Sequence, residues 1–143
     1  MSISVAHGAR MRTALDSSVL LDVIVDDVKF ADRSEAALRD AAAMGSLVVG
    51  ECVLAEIRPA FATGQTEEFL SEWNIEFVPS SVESSLLAGE MFLTYLRRRP
   101  RAPRRVIANF LIGAHALLTA DRLLARDRGY YRDYFKKLVL LAP

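Results

Sequence analysis

Met11-Arg12-Thr13-Ala14-Leu15-Asp16-Ser17-Ser18-Val19-Leu20-Leu21-Asp22-Val23-Ile24 is the stretch of sequence that decides the fold. Its short apolar run, Thr13 to Leu15, predicts a strand, and Asp16 stands directly after that run. Ser17 and Ser18 then offer hydroxyl groups that can cap a helix, which the following apolar run predicts. The local order is therefore strand, acidic residue, helix.

Predicted strands and helices continue to alternate along the chain, because short apolar runs alternate with segments whose apolar residues recur at helical spacing. The further elements predicted in this way are a helix over 32–44 ended by Gly45, a strand over 47–49, a helix from Val53 to Phe61, a short helix anchored by Phe69 and Trp73, a strand over 75–78, a helix from a capping box of Ser80 and Glu83 towards Leu96, a helix over 106–120, a strand over 123–125 and a last strand over 138–141. Such alternation is typical of a mostly parallel sheet covered on both faces. We therefore predict an α/β fold in three layers, an α/β/α sandwich around a central, mostly parallel sheet.

Length and cysteine content narrow the class of protein. The chain has 143 residues, enough for one domain with a cooperative core, and we assign that domain to residues 11–143. Residues 1–10 show no clear period and are predicted to be a weakly ordered N-terminal extension. Cys52 is the only cysteine, so neither a disulfide framework nor a thiolate zinc site can form, and a cytoplasmic location is expected.

Charge and apolar run lengths narrow the class further. Lys plus Arg and Asp plus Glu both number 18, so the chain lacks the overall basic excess of many nucleic-acid binders. The longest apolar stretches, such as Phe110 to Ala120, are too short and too interrupted by polar residues to cross a bilayer. We therefore expect no membrane contact, and any nucleic-acid contact must come from local clusters of charge.

Four residues with side-chain oxygen atoms occupy similar positions. Asp16 and Asp127 follow predicted strands, whereas Glu56 and Asn109 lie on predicted helices. Because sites in parallel sheets form where the strands end, the two aspartates are expected at a common edge. Carboxylates that converge repel one another unless a cation or a proton lies between them, so the pattern indicates a divalent-metal site. Taken alone, each aspartate could equally cap a helix, Glu56 could simply face solvent, and Asp121 competes with Asp127 for the last position.

Four segments, in this order, carry a family resemblance. They are Leu15 to Leu21, Val53 to Ile57, Asn109 to Ala116 and Leu123 to Tyr131. On these segments the chain from Met11 to Pro143 resembles PIN-domain proteins and looks most like the VapC toxins of toxin-antitoxin pairs. The resemblance implies a PIN-like α/β/α fold and an endoribonuclease that depends on Mg²⁺ or Mn²⁺. It also implies a homodimer held inactive by a cognate antitoxin, with transfer or ribosomal RNA as the substrate.

The resemblance assigns the catalytic and metal-binding roles to Asp16, Glu56, Asn109 and Asp127. The family pattern has aspartate where this chain has Asn109. An amide still offers a carbonyl oxygen, but it removes one negative charge and cannot accept a proton as a carboxylate can. Weaker metal binding and slower turnover are therefore expected. Three explanations stay open: a natural variant of reduced activity, an RNA-binding relative that has lost cutting, and a deliberate change from Asp to Asn.

Two clusters of cationic residues are candidates for RNA contact. The first runs from Arg97 to Arg105, in a predicted loop interrupted by Pro100 and Pro103. The second interleaves arginine with aromatic rings from Arg126 to Phe135, which suits stacking on unpaired bases. The residues predicted to bind RNA are Arg97, Arg98, Arg99, Arg126, Arg128 and Tyr130. Solvated surface charge and core packing are the competing interpretations.

Helical spacing separates core residues from candidates for function in the last helices. Tyr131 and Phe135 would share one helix face and are predicted to be core, which leaves Tyr130 and Tyr134 more exposed. His115 would point to a different side of its helix from the predicted site, so we expect a hydrogen-bonded packing residue rather than a general base.

The leading functional hypothesis is a metal-dependent ribonuclease toxin weakened at Asn109. The alternative is a non-catalytic PIN-like module that binds RNA or a protein partner. A phosphatase-like or DNA-cutting metalloenzyme would need the same acidic residues, so only substrate assays separate it from the first hypothesis.

Overall fold

The central sheet has five strands. The computed structural model describes residues 10–103 and 105–143, so residues 1–9 of the predicted extension lie outside the described residues. The strands are β1 (Met11–Leu15), β2 (Gly45–Val49), β3 (Ile75–Phe77), β4 (Arg122–Leu124) and β5 (Leu140–Leu141). They lie in the order β3-β2-β1-β4-β5, and every neighbouring pair is parallel. The predicted sheet is confirmed, and it is entirely rather than mostly parallel.

Seven α-helices and one 3₁₀ helix connect the strands within the described ranges. The α-helices are α1 (Ser17–Ile24), α2 (Ala31–Met44), α3 (Glu51–Ile57), α4 (Gln65–Glu72), α5 (Val82–Arg98), α6 (Ile107–Thr119) and α7 (Gly129–Tyr134), and the 3₁₀ helix covers Arg58–Ala60. Because crossovers between parallel strands are right-handed, the helices between β1 and β3 cover one face of the sheet. For the same reason α5 and α6, between β3 and β4, cover the other face. The predicted three-layer α/β/α sandwich is confirmed.

The core lies between the sheet and these helix layers. Leu15, Val48 and Leu123 of the three central strands are fully buried, and so is Phe110 of α6. The pairing of β1 with β2 depends on Gly45, because a Cβ atom there would lie 2.0 Å from the backbone oxygen of Met11.

Local hydrogen bonds place the start of α5 differently from the prediction. The capping box expected for Ser80 and Glu83 is formed one residue later by Ser81 and Ser84. Each of these two hydroxyl oxygens accepts a hydrogen bond from the backbone N–H of the other residue at 3.0 Å. Ser80 instead donates its N–H to the carboxylate of Glu51 at 2.9 Å, which holds it in the turn before the helix.

The end of α3 also differs from the prediction. The helix stops at Ile57 because Pro59 follows within the 3₁₀ helix, so Phe61 lies beyond the helix that was predicted to contain it. The other predicted ends agree with the structure to within two residues.

The order of the strands determines where a site can form. From β1 the chain moves to β2 and β3 on one side, and it returns to β4 and β5 on the other side. Ligand sites in such sheets form at the carboxyl ends of the strands where this direction reverses. At that point Leu15 is paired with Leu124, and the N–H of Asp16 donates to the carbonyl of Leu124 at 3.0 Å. The residues that follow β1 and β4 therefore lie side by side.

Candidate active site

A pocket of about 760 Å³ opens at this edge of the sheet. Its walls include all four residues to which the resemblance assigned metal binding: Asp16, Glu56, Asn109 and Asp127. The two aspartates follow β1 and β4, Glu56 lies on α3, and Asn109 lies in the first turn of α6. The fold therefore brings four side-chain oxygen donors from distant parts of the chain to one cavity.

Asp16 is a helix cap and a pocket residue at the same time. It is only 5% exposed, and its Oδ2 atom accepts hydrogen bonds from the backbone N–H of Ser18 at 3.0 Å and from the Ser18 hydroxyl at 2.6 Å. Its Oδ1 atom accepts a hydrogen bond from the Tyr131 hydroxyl. The capping role predicted for Ser17 and Ser18 is wrong, because Asp16 itself is the N-cap of α1 and the Ser18 hydroxyl donates to it.

Glu56 and Asp127 carry carboxylates that the solvent reaches. Burial raises the pKa of Glu56; a hydrogen bond from Ser17 opposes that shift and the nearby charge of Asp16 reinforces it. Asp127 follows β4 with its side chain 81% exposed, and among the described residues the nearest cationic atom is Nη1 of Arg126 at 3.8 Å. The negative charge in the pocket is thus only partly neutralised by neighbouring side chains.

The donor set fits a hard divalent cation in its chemistry. Three carboxylates and one amide are all oxygen donors, which Mg²⁺ and Mn²⁺ prefer. In spacing the fit is looser, because among residues 10–103 and 105–143 no three histidine, cysteine or acidic side chains are arranged to hold an ion. Asn109 adds an amide oxygen to this set but no charge.

Arg126 is held inside the structure by an ion pair. Its Nε and Nη2 atoms donate to the two carboxylate oxygens of Asp22, both at 2.9 Å, and Ser34 donates to the same carboxylate at 2.7 Å. The guanidinium also lies 4.2 Å from the ring centre of Phe30. Of the six residues predicted to bind RNA, Arg126 is therefore the one whose donors are already engaged.

Three of the five remaining RNA candidates lie on the pocket wall. Arg99, Arg128 and Tyr130 line it. Arg97 and Arg98 were predicted to lie in a loop, but they form the last turn of α5. The helix ends there because Arg99, which precedes Pro100, has a non-helical backbone. Arg104 of the same cluster lies outside the described residues.

The aromatic residues of α7 divide as the spacing predicted, with one addition. Tyr131 and Phe135 are buried, and Tyr130 and Tyr134 are half-buried against the ring of Phe110 at 5.8 Å and 5.4 Å between centroids. The addition is the hydrogen bond that the Tyr131 hydroxyl donates to the carboxylate of Asp16. Burial raises the pKa of Tyr131 above its usual range, with a further contribution from that carboxylate, so its hydroxyl remains a donor. The only sequence signal for this role is that a buried tyrosine needs a polar partner.

His115 is a packing residue, as predicted. It is 3% exposed, and its Nε2 atom lies 2.6 Å from the carbonyl oxygen of Val78. Gly50 makes room for its ring, since a Cβ atom there would lie 3.1 Å from two ring atoms. Cys52 is half-buried against the hydrophobic core.

Comparisons with known proteins establish the fold. No protein-family model matches the chain, and no curated protein matches it. Among solved structures, VapBC2 from Rickettsia felis bound to a DNA fragment from their promoter matches with a TM-score of 0.68 at 20% identity, over 93% of this chain and 99% of that chain. VapBC-1 from nontypeable Haemophilus influenzae gives 0.65 at 17% identity, over 92% and 98% of the two chains. FitAcB from Neisseria gonorrhoeae gives 0.62 at 15% identity, over 90% and 96%.

These likenesses extend over almost the full length of both chains, so the chain shares the fold found in these complexes. At identities of 20% or less they establish the fold alone. Within the part of the chain that the structure describes, none of the helices is both long enough and apolar enough to cross a membrane.

Proposed function

We propose that the protein is a metal-dependent endoribonuclease toxin of a toxin-antitoxin pair, weakened by an asparagine at position 109. The observation that carries this proposal is the lining of one pocket by Asp16, Glu56, Asn109 and Asp127 at the switch point of the sheet. The shared fold with VapBC and FitAB complexes supports it independently. The proposed RNA substrate would place the protein in the cytoplasm.

Asp16, Glu56, Asn109 and Asp127 would hold a Mg²⁺ or Mn²⁺ ion through their side-chain oxygens. The bound ion would supply charge neutralisation at the scissile phosphate and a lower pKa for the attacking water. Glu56 presents a carboxylate that solvent reaches on the pocket wall, and it is the proposed acceptor of a proton from that water. Asn109 can contribute an oxygen but no charge and no proton acceptor, which accounts for the expected loss of activity.

Arginine residues on the rim would bind the RNA backbone. Arg99 and Arg128 line the pocket and are exposed, so their guanidinium groups can reach phosphates on either side of the scissile bond. Tyr130 lies on the same wall, where a ring can stack on an unpaired base. Arg126 would act differently, because its ion pair with Asp22 fixes the loop that carries Asp127.

A cognate antitoxin and a second copy of the chain are the proposed protein partners. The matched structures are named VapBC2, VapBC-1 and FitAcB. An antitoxin partner would inhibit by covering the acidic pocket with a cationic side chain.

The test is cleavage of RNA by the Asn109→Asp variant beside the unchanged chain. Restoring the fourth carboxylate should raise the cleavage rate by about a hundredfold or more, since one charged catalytic group contributes roughly that factor. EDTA should abolish the activity of both proteins. The matched control is Asp16→Asn in the Asn109→Asp background, which keeps a good N-cap for α1 but removes a carboxylate from the pocket. Equal rates for Asn109→Asp and the unchanged chain would contradict the role of position 109.

The second candidate is a non-catalytic module that binds RNA or a protein. The looser spacing of the acidic side chains and the amide at position 109 favour it. It predicts no cleavage by either version and an RNA affinity that does not change with Mg²⁺.

A further inference from the structure

The hydrogen bonds around Asp16 leave it little freedom to bind a ligand. An ionised carboxylate offers about four lone-pair positions, two on each oxygen. On Oδ2, two of them are taken by the N–H and the hydroxyl of Ser18. On Oδ1, one is taken by the hydroxyl of Tyr131. Among residues 10–103 and 105–143 no other donor bonds this carboxylate, so the remaining position is on Oδ1, and Asp16 lies on the pocket wall.

The same bonds join the two loops that carry the aspartates. The Ser18 hydroxyl accepts a hydrogen bond from the backbone N–H of Arg126 at 3.1 Å, directly before Asp127. Tyr131 lies on α7, after Asp127 in the chain, and its hydroxyl donates a hydrogen bond to Asp16. Hydrogen bonds on both sides of Asp127 therefore hold the segment 126–131 against the residues that follow β1.

We propose that Tyr131 is a positioning residue of this site, which together with Ser18 orients Asp16 so that one lone pair of Oδ1 remains for a divalent cation. The assignment rests on the proposed function, because it concerns the same metal site. It goes further by predicting that Asp16 binds through one oxygen only, and that the affinity for the cation depends on a phenol that does not touch the cation. Hydrogen bonds that orient a metal ligand in this way typically contribute a factor of about 10 to 100 in affinity.

The experiment measures Mn²⁺ binding to the full chain by electron paramagnetic resonance, in the Asn109→Asp background. Tyr131→Phe removes the hydroxyl and keeps the buried ring. The matched control is Tyr134→Phe, the same chemical change on the same helix and in the same pocket. We expect Tyr131→Phe to weaken Mn²⁺ binding by about tenfold or more, and Tyr134→Phe to leave it unchanged.

Further variants keep the test decisive if Tyr131→Phe folds poorly. Ser18→Ala removes a donor from the other oxygen of Asp16, and it should weaken Mn²⁺ binding as well. Thermal unfolding without metal serves as the control for stability, since a merely structural role would lower the melting temperature and leave the Mn²⁺ affinity unchanged.

The outcomes separate this inference from the proposed function. Binding that is lost in Asp16→Asn but equal or tighter in Tyr131→Phe overturns the positioning role and leaves the metal site standing. Binding that does not depend on Asp16, or no binding by the Asn109→Asp chain, overturns the proposed metal site, and the positioning role with it.

Discussion

The two edges of the sheet treat their charged residues differently. At the amino edge, Asp121 precedes β4 and accepts a hydrogen bond from the backbone N–H of Arg12 at 2.7 Å. Arg12 in turn pairs with Glu76 at 3.2 Å. At the carboxyl edge, Asp127 follows the same strand with its side chain 81% exposed and a cationic atom no nearer than 3.8 Å. An acidic residue whose charge the fold already uses is structural, whereas one left with unused charge in a pocket is available to a ligand.

The comparison also resolves the choice between Asp121 and Asp127. The sequence offers both as the last acidic residue, because each lies close to the predicted strand. The structure places them at opposite ends of β4, and only Asp127 lines the pocket with Asp16.

The largest expected change in stability comes from comparing one ion pair at each edge, Asp22–Arg126 at the carboxyl edge and Arg12–Glu76 at the amino edge. The Asp22 side chain is 4% exposed and binds Arg126 through both oxygens, whereas Arg12 and Glu76 are 36% and 56% exposed. Asp22→Ala should lower the free energy of unfolding by about 3 kcal/mol, because it leaves the guanidinium and the Ser34 hydroxyl without their partner. Glu76→Ala should cost less than about 1 kcal/mol. Urea unfolding measures both, and similar losses would show that the pair at the carboxyl edge is no more structural than a surface pair.

A smaller change in the free energy of unfolding, of opposite sign, is expected from Glu56→Gln. The folded-state pKa of Glu56 is raised above the unfolded value of about 4.3, so the folded protein favours the protonated carboxyl. The stability that this preference contributes is complete below about pH 4.3, and it is lost as the pH rises through the folded-state pKa. Glu56→Gln should therefore raise the free energy of unfolding at pH 7 without metal. The gain should stay below about 1 kcal/mol, because solvent reaches this carboxylate.

The gain at Glu56 should shrink at about pH 4, where the wild-type carboxyl is more than half protonated in both the folded and the unfolded protein. Glu90→Gln, an exposed acid in the middle of α5 outside the pocket, is the control and should change little at either pH. A loss of stability at pH 7 in Glu56→Gln would mean that the carboxylate supports the fold rather than a ligand.

The sequence predicts the fold well because the relevant information is local. Short apolar runs and helical spacing identify the strands and helices, and the β1–Asp16–α1 segment alone gives the strand-acid-helix unit. The start of α5 could not be predicted, since two capping boxes were available and the contact between Ser80 and the distant Glu51 selects one of them.

The site is only partly predictable, for a related reason. A resemblance in four segments identifies the pocket residues, but their hydrogen bonds join residues that are far apart in the chain. Tyr131 and Asp16 are separated by 115 positions, and Arg126 and Asp22 by 104. Helical spacing assigned Tyr131 to the core, and the interleaving of arginine with aromatic rings assigned Arg126 to RNA. Neither pattern indicates the polar atom that a side chain meets in the folded protein.

The central claim is that Asp16, Glu56, position 109 and Asp127 form one metal site. Anomalous diffraction from crystals of the Asn109→Asp variant soaked in Mn²⁺ tests it most directly. The account predicts an anomalous peak in the pocket, within about 2.0–2.3 Å of Oδ1 of Asp16, and no such peak in the Asp16→Asn variant. A peak elsewhere, or a pocket without Mn²⁺ under conditions in which the variant cleaves RNA, would contradict it.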